Sequence, residues 1–274
     1  MKINEIGRIV SVRKVEENTN LLGKQIQKLT SFQRITSASD DAAGLAIATR
    51  ITSQIGGLNQ AQYNVQDTTS LIQVAEGGIS QINDMQQRLR ELAVQASNGT
   101  LTDADRQMIN AEAQQLKEEI NRMAGTVEFN GMKLLNGDFE EGTGDLQVQA
   151  GANENQTIKI NIKAMNTTAL GINDIDLSTA NGATAAISAI DNSINITNEQ
   201  RSNLGAITNR LNSTYNFLGV EQINQTSSFA QIMEADVAQE MLTFTSKQLL
   251  RDVGLAMLTQ GNLQRRNVLS LITA

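Results

Sequence analysis

From Ala61 to Ala96, apolar or small residues return at steps that alternate four and three: Ala61, Val65, Thr68, Ile72, Ala75, Ile79, Ile82, Gln86, Leu89, Ala93 and Ala96. A period of about 3.5 residues belongs to a helix that keeps one stripe against partner helices along its whole length. These 36 residues would extend about 54 Å at 1.5 Å per residue. A small domain is about 30 Å across, so the repeat predicts a rod, with a left-handed supercoil about its partners. The same phase recurs near the start in Val12, Val15, Thr19, Leu22, Ile26 and Leu29. It returns in the second half through Ile187, Ile190, Ile194, Thr197, Arg201, Leu204, Thr208, Leu211, Tyr215 and Leu218. A shorter helix is predicted around Met108, Leu116, Ile120 and Met123.

Composition agrees with long helices and narrows the chemistry. The 274 residues include no Pro, so nothing obliges a helix to break, and aromatic residues are only 3% of the chain. Seams of Ala, Thr, Leu, Ile and Val suit thin helix-on-helix contacts. There is no Cys and no His, which removes disulfides, thiolate catalysis, the commonest general base and the commonest transition-metal ligand. The net charge of −7 is uneven: residues 1–34 carry seven Lys/Arg against three acids, and residues 240–274 carry four against two. Both ends are therefore positive and the middle acidic, a balance that disfavours nucleic acid. No apolar run is long enough to span a bilayer, so no membrane partner is expected. MKINEIGRIV lacks an uninterrupted apolar core before a small-residue cleavage site, so no secretory signal peptide is expected.

Between residues 126 and 182 the pattern changes. Asn130-Gly131 and Asn136-Gly137 are turn signals. Leu146 and Val148, then Ile158, Ile160 and Ile162, alternate with polar residues around AGANENQ, which reads as a β-hairpin. The expected fold class is mainly α: a long coiled-coil-like bundle built from both termini, with a small β-hairpin region in mid-sequence. The weaker seams of residues 1–34 and 240–274 are expected to need a partner before they order.

Asp40 and Asp41 stand out inside RITSASDDAAGLAIATRI. Neighbours on a helix point about 100° apart and cannot clamp one ion, and no further ligands follow at helical spacing. Ser37 followed by Asp40 fits a helix start, where acids complement the dipole. Arg88, Arg90 and Glu91 flank the Leu89–Ala93 seam and read first as a solvated helix face. No Gly-rich phosphate loop is present, since Gly77-Gly78 falls inside the long repeat. No active site and no cofactor are expected.

Several stretches together resemble bacterial flagellin: SASDDAAGLAIATRITSQIGGL, QQRLRELAVQASNGTLTDADR, VEFNGMKLLNG, LQVQAGAN and, near the end, NVLSLI, all in the family's order. The resemblance implies an inner domain of paired terminal helices (residues 1–40 and 236–274), which lines a channel. It also implies a rod domain from 41–182, with long helices and the hairpin, and from 183–235, the returning helix. Because only about 20 residues separate Lys163 from Gly182, the outer domain of larger relatives should be absent.

What the resemblance implies for function is a subunit that polymerises with identical copies into a hollow, extracellular filament used for swimming. Its partners would include an export chaperone, the filament cap and hook-junction proteins, with type III export through the filament. Arg88, Leu92 and Glu112 would contact neighbouring subunits and, depending on the host, Toll-like receptor 5. Ile6, Leu22, Ile26, Leu29, Leu258, Val268 and Leu269 would serve inner-domain assembly, and Asp40 and Asp41 would mark the joint between domains. The alternatives are a minor flagellin or hook–filament junction protein, a coiled-coil scaffold that forms discrete oligomers, and an enzyme.

Three stretches depart from the family pattern. Asn4 is followed by Glu5-Ile6 in place of His-Asn, Ser31-Phe32-Gln33 replaces Ser-Gly-Leu, and Gln264-Arg265-Arg266 replaces a Gln-rich run with Pro. Pairing of the chain ends would allow Glu5 to meet Arg265 or Arg266.

Overall fold

The computed structural model describes residues 2–140, 142 and 144–273, with side chains described from 7 to 267. Five helices hold most of the chain: α1 (Lys2–Ser31), α2 (Ala42–Ala96), α3 (Asp103–Thr126), α4 (Ala180–Met233) and α5 (Val237–Thr273). Four short strands lie between α3 and α4: β1 (Glu128–Phe129), β2 (Met132–Lys133), β3 (Leu146–Gln149) and β4 (Thr157–Ile160). The chain divides into two units, one of residues 1–54 with 223–274 and one of residues 55–222. Among the described residues no helix is long and apolar enough to cross a membrane.

In the unit of residues 55–222 all eleven positions of the Ala61–Ala96 repeat are buried. They form one face of α2, within a core of 32 buried side chains that also takes in α3, both hairpins and α4. The seam carries a polar layer. Gln86, fully buried, donates through Nε2 to Ser193 Oγ at 2.6 Å and to Thr197 Oγ1 at 3.0 Å, tying α2 to α4.

Elsewhere the periodicity is right and half of the seam is displaced by one residue. In α4, Ile190, Thr197, Leu204, Leu211 and Leu218 are buried as expected. The alternate places, however, are taken by Ala186, Ser193 and Gln200, which are buried, while Ile187, Ile194 and Arg201 are only half-buried. Small or hydrogen-bonded polar side chains fit the narrow gap: Ser193 meets Gln86, and Gln200 donates to the Asn161 carbonyl at 3.1 Å. In α3 the buried face is Arg106, Ala113, Lys117, Ile120 and Ala124. Met108, expected in the seam, is 67% exposed.

Turn chemistry explains the strands. Asn130 and Gly131 have φ of 51° and 78°, the two left-handed residues of a type I′ turn, and they set Phe129 opposite Met132. β3 and β4 pair antiparallel from Leu146↔Ile160 to Gln149↔Thr157, and Ala150 N donates to Gln156 O to close the loop. Beyond them, α3 holds residues 167–177 by their backbone. Asn121 Oδ1 accepts from Thr167 N–H, the Lys117 ammonium donates to the Asn173 and Ile175 carbonyls, and Asn110 Oδ1 accepts from Leu177 N–H. Burial pushes the Lys117 pKa down against the pull of Asp174 and Asp176.

In the other unit α1 packs on α5. Leu22, Ile35, Ala48 and Met233 are its only fully buried apolar side chains among the described residues. The residues between α1 and α2 pair with those between α4 and α5. Arg34 N–H donates to Met233 O at 2.6 Å, Ala235 N–H donates to Phe32 O at 3.1 Å, and Gln33 faces Glu234 in an antiparallel bridge.

Candidate functional site

The aspartate pair belongs to this connector. Asp40 Oδ2 accepts from the N–H and hydroxyl of both Thr36 and Ser37, at 2.9–3.2 Å. Those bonds, Thr36 first, hold its pKa below the ordinary carboxylate value. Asp41 Oδ1 accepts from Gly44 N–H at 2.9 Å, so Asp41, not Ser37, caps α2. Both carboxylates are thus spent on local backbone. Gly44 keeps this corner open: a Cβ there would lie 2.4 Å from Asp41 Oδ2 and 2.7 Å from Ile35 Cδ1, so both side chains would have to shift.

On the α2/α3 surface, Arg88 Nε and Nη2 both donate to Glu112 Oε1, at 3.1 and 2.9 Å, and Nη1 donates to Glu91 Oε2 at 3.0 Å. The Glu112 bond, then the Glu91 bond, raises the Arg88 pKa. The structure therefore brings Arg88 and Glu112 together, half-exposed, as a preformed charged fork. Leu92 does not join them: it is 1% exposed and packs in the core. The seam pattern explains this, since Leu92 follows Leu89 by one step of three. The exposed apolar groups on this unit include Val94 on α2 and Met108, one helical turn before Glu112.

The α2 terminus is finished by a residue that periodicity gave no reason to notice. Arg106 is buried, donating to Ala96 O at 2.9 Å, Asn98 O at 3.0 Å and Asp103 Oδ1 at 2.9 Å. The carbonyls that end α2 thus meet a cation, the favourable sign at a helix C-terminus. A Thr102-x-x-Asp105 capping box, readable in the sequence, starts α3 and fixes Arg106 one residue later.

The paired terminal helices place their side chains in an unexpected sense. Toward α5, α1 turns Ser11, Val15, Asn18, Leu22, Gln25 and Leu29; α5 answers with Glu240, Phe244, Lys247, Arg251, Gly254 and Leu258. Gln25 donates to the Glu240 carboxylate, and a Cβ on Gly254 would stand 2.7 Å from Val15 Cγ2. Leu22, Leu29 and Leu258 lie on this face, whereas Ile26 is 51% exposed. The side chains of Ile6, Val268 and Leu269 lie outside the described residues, as does that of Glu5, the expected partner of Arg265 or Arg266. Outward point Leu242, 74% exposed, with Leu249, Leu250, Val253 and Met257. From Met241 to Gln260 the exposed positions hold one charge, Asp252, paired with Arg251 at 2.7 Å. On α5 the charged Glu240, Lys247 and Arg251 are half-buried, while Leu242, Leu249 and Leu250 are exposed.

Comparison with known proteins accounts for this architecture. The sequence model described as bacterial flagellin N-terminal helical region matches residues 7–140, and that described as bacterial flagellin C-terminal helical region matches residues 187–272. The chain is 41% identical over 268 residues to the flagellar filament 33 kDa core protein of Treponema phagedenis, covering 93% of this chain and 94% of that one. To flagellin of Bacillus subtilis (strain 168) it is 39% identical over 303 aligned positions, covering 99% and 100%. A solved structure described as a flagellar hook-associated protein from Vibrio parahaemolyticus has the same fold, with TM-score 0.59 over 71% of this chain and all of that one, at 14% identity. The chain belongs to the bacterial flagellin family.

Proposed function

We infer that this chain is a structural subunit of the bacterial flagellar filament, one copy polymerising on another into a hollow helical tube outside the cell. The observation that carries the reading is the outward apolar face of α5. A two-helix unit that turns Lys247 and Arg251 inward and Leu242 and Leu249 outward leaves its apolar area uncovered in a single chain. A contiguous exposed apolar face of this kind marks an interaction surface. Repeated head-to-tail contacts that do not close give an open helical polymer. The family's filaments supply the setting, and no catalytic step is assigned.

In this reading residues 1–40 and 236–274 form the inner domain, and 41–182 with 183–235 form the rod. Leu22, Ile26, Leu29, Leu258, Val268 and Leu269, with Ile6, are proposed for inner-domain assembly. The Arg88–Glu112 fork is proposed as a contact to neighbouring subunits and to Toll-like receptor 5 of a host that meets the filament, with Leu92 supporting α2 from beneath. Export by the type III route, with a chaperone, a cap and junction proteins as partners, follows from family membership. The test is seeded polymerisation followed by electron microscopy, with removal of residues 1–34 as the control. Full-length protein should extend the seeds and truncated protein should not. Discrete oligomers that ignore the seeds, or normal growth after truncation, would overturn the reading.

A further inference from the structure

We propose that Phe32 is a contact residue between subunits, its ring seated on the outward apolar face of the terminal helices of a second copy of this chain. The proposal rests on the filament-subunit reading and adds a residue to it. Phe32 has φ of 57°, the left-handed region, and is 63% exposed. Glycine takes that conformation without a steric penalty, and for a bulky side chain it is a genuine outlier. The backbone needs the kink: it turns the chain out of α1 so that Phe32 O can accept from Ala235 N–H and Arg34 N–H can reach Met233 O. No such need explains the ring. The small core beneath the connector is built from Ile35, Ala48 and Met233, with Leu45, Phe229 and Ile232 around it, and Phe32 is outside it.

The chain therefore holds an aromatic ring in a disfavoured backbone state while gaining little packing within itself, and strain of this kind gathers at sites of function. The occupant follows from the surroundings. Ala235 leads within two residues to Val237 and within six to Met241, both exposed, at the head of the outward leucine-rich surface of α5. That surface carries one charge over twenty residues, already paired within the chain. A partner for it must be apolar and uncharged, and a second copy presents the same face.

The test compares Phe32→Gly, Phe32→Ala and Phe32→Tyr in the full-length protein, measuring the critical concentration for seeded growth and the hydrogen exchange of the Ala235 amide in the monomer. With Gly the strain is gone, so the amide should exchange no faster than in the parent. Critical concentration should still rise about tenfold with Gly and with Ala, as expected on losing a buried aromatic anchor, and Tyr should restore it. Growth of Phe32→Gly at the parent concentration overturns the proposal. So does faster Ala235 exchange in Phe32→Gly, because the ring would then be acting within its own chain. A parent protein that fails to extend seeds defeats the filament reading itself and this proposal with it.

Discussion

Two adjacent glycines in α2 show how a single methyl group can have opposite effects. Gly77 is exposed, with nothing within 4 Å of a Cβ built there. Gly77→Ala should raise the thermal stability of the 55–222 unit by about 0.5–1 kcal/mol, the difference in helix propensity. Gly78 is buried, and a Cβ there would stand 2.8 Å from Val127 Cγ2 and 3.0 Å from Leu135 Cδ1. Val127 is β-branched and cannot swing clear, so Gly78→Ala should destabilise by about 1–3 kcal/mol despite the same propensity gain. Denaturant melts of the two variants decide it, and equal effects would refute the packing. Asp40 gives a pH test at the same scale. Its pKa is depressed, mainly by the Thr36 hydrogen bond. The stabilisation is therefore present above the ordinary carboxylate value and lost as pH falls through the depressed one. Amide protection at Thr36 and Ser37 should fade at acid pH in the parent. In Asp40→Asn it should be weaker at neutral pH and change less as pH falls.

Elements were legible in proportion to how much of their face is apolar. The α2 repeat is Ile, Leu, Val and Ala apart from Thr68 and Gln86, and every predicted seam position is buried. In α1 and α4 the heptad phase was readable, yet reading by hydrophobicity chose Ile26 and Ile194 over Gln25 and Ser193. The inward places go to side chains that find hydrogen-bond partners across the gap: Gln25 at Glu240, Ser193 at Gln86. A polar residue's partner lies on another element, so one strand of sequence does not announce it. The same holds for α3, where Arg106 and Lys117 are buried because carbonyls 8 to 58 residues away need donors. Of the three residues that the resemblance assigns to a contact surface, Arg88 and Glu112 meet half-exposed, whereas Leu92, at seam spacing from Leu89, is buried in the core of its own chain. Arg106→Met should expose the dependence of α2 on its cap. It leaves the buried Ala96 carbonyl without its donor, the Asn98 carbonyl being open to water, and should lower the stability of the 55–222 unit by about 1–3 kcal/mol, measured by thermal melting. Glu112→Gln, which breaks only an exposed pair, should cost less than about 1 kcal/mol.

For the whole molecule, the decisive contrast is between two units that share a chain but not a kind of core. Residues 55–222 bury 32 apolar side chains in one cluster, whereas residues 1–54 with 223–274 bury only Leu22, Ile35, Ala48 and Met233 among those described. Hydrophobic burial is the main favourable term in folding, so the second unit has little of its own to offset the entropy of ordering two helices of 30 and 37 residues. In the proposed filament other copies supply the missing apolar burial along α1 and α5, so the ordering of those two helices and growth of the polymer are expected to be one event. The connector keeps its own small core of Ile35, Ala48 and Met233. Hydrogen exchange should then separate the two. In the monomer, amides along Ala61–Ala96 should be protected at least about a hundredfold more than those of α1 and α5, the gap between global and local opening. In seeded filaments that gap should close, through slowing of α1 and α5 alone. Replacing Leu242 and Leu249 together by Gln should leave the melting of the 55–222 unit unchanged and abolish the protection gained on seeding. If α1 and α5 were already as protected as α2 in the free monomer, the terminal unit would be self-sufficient, and the outward leucines would have to be explained by some partner other than another subunit.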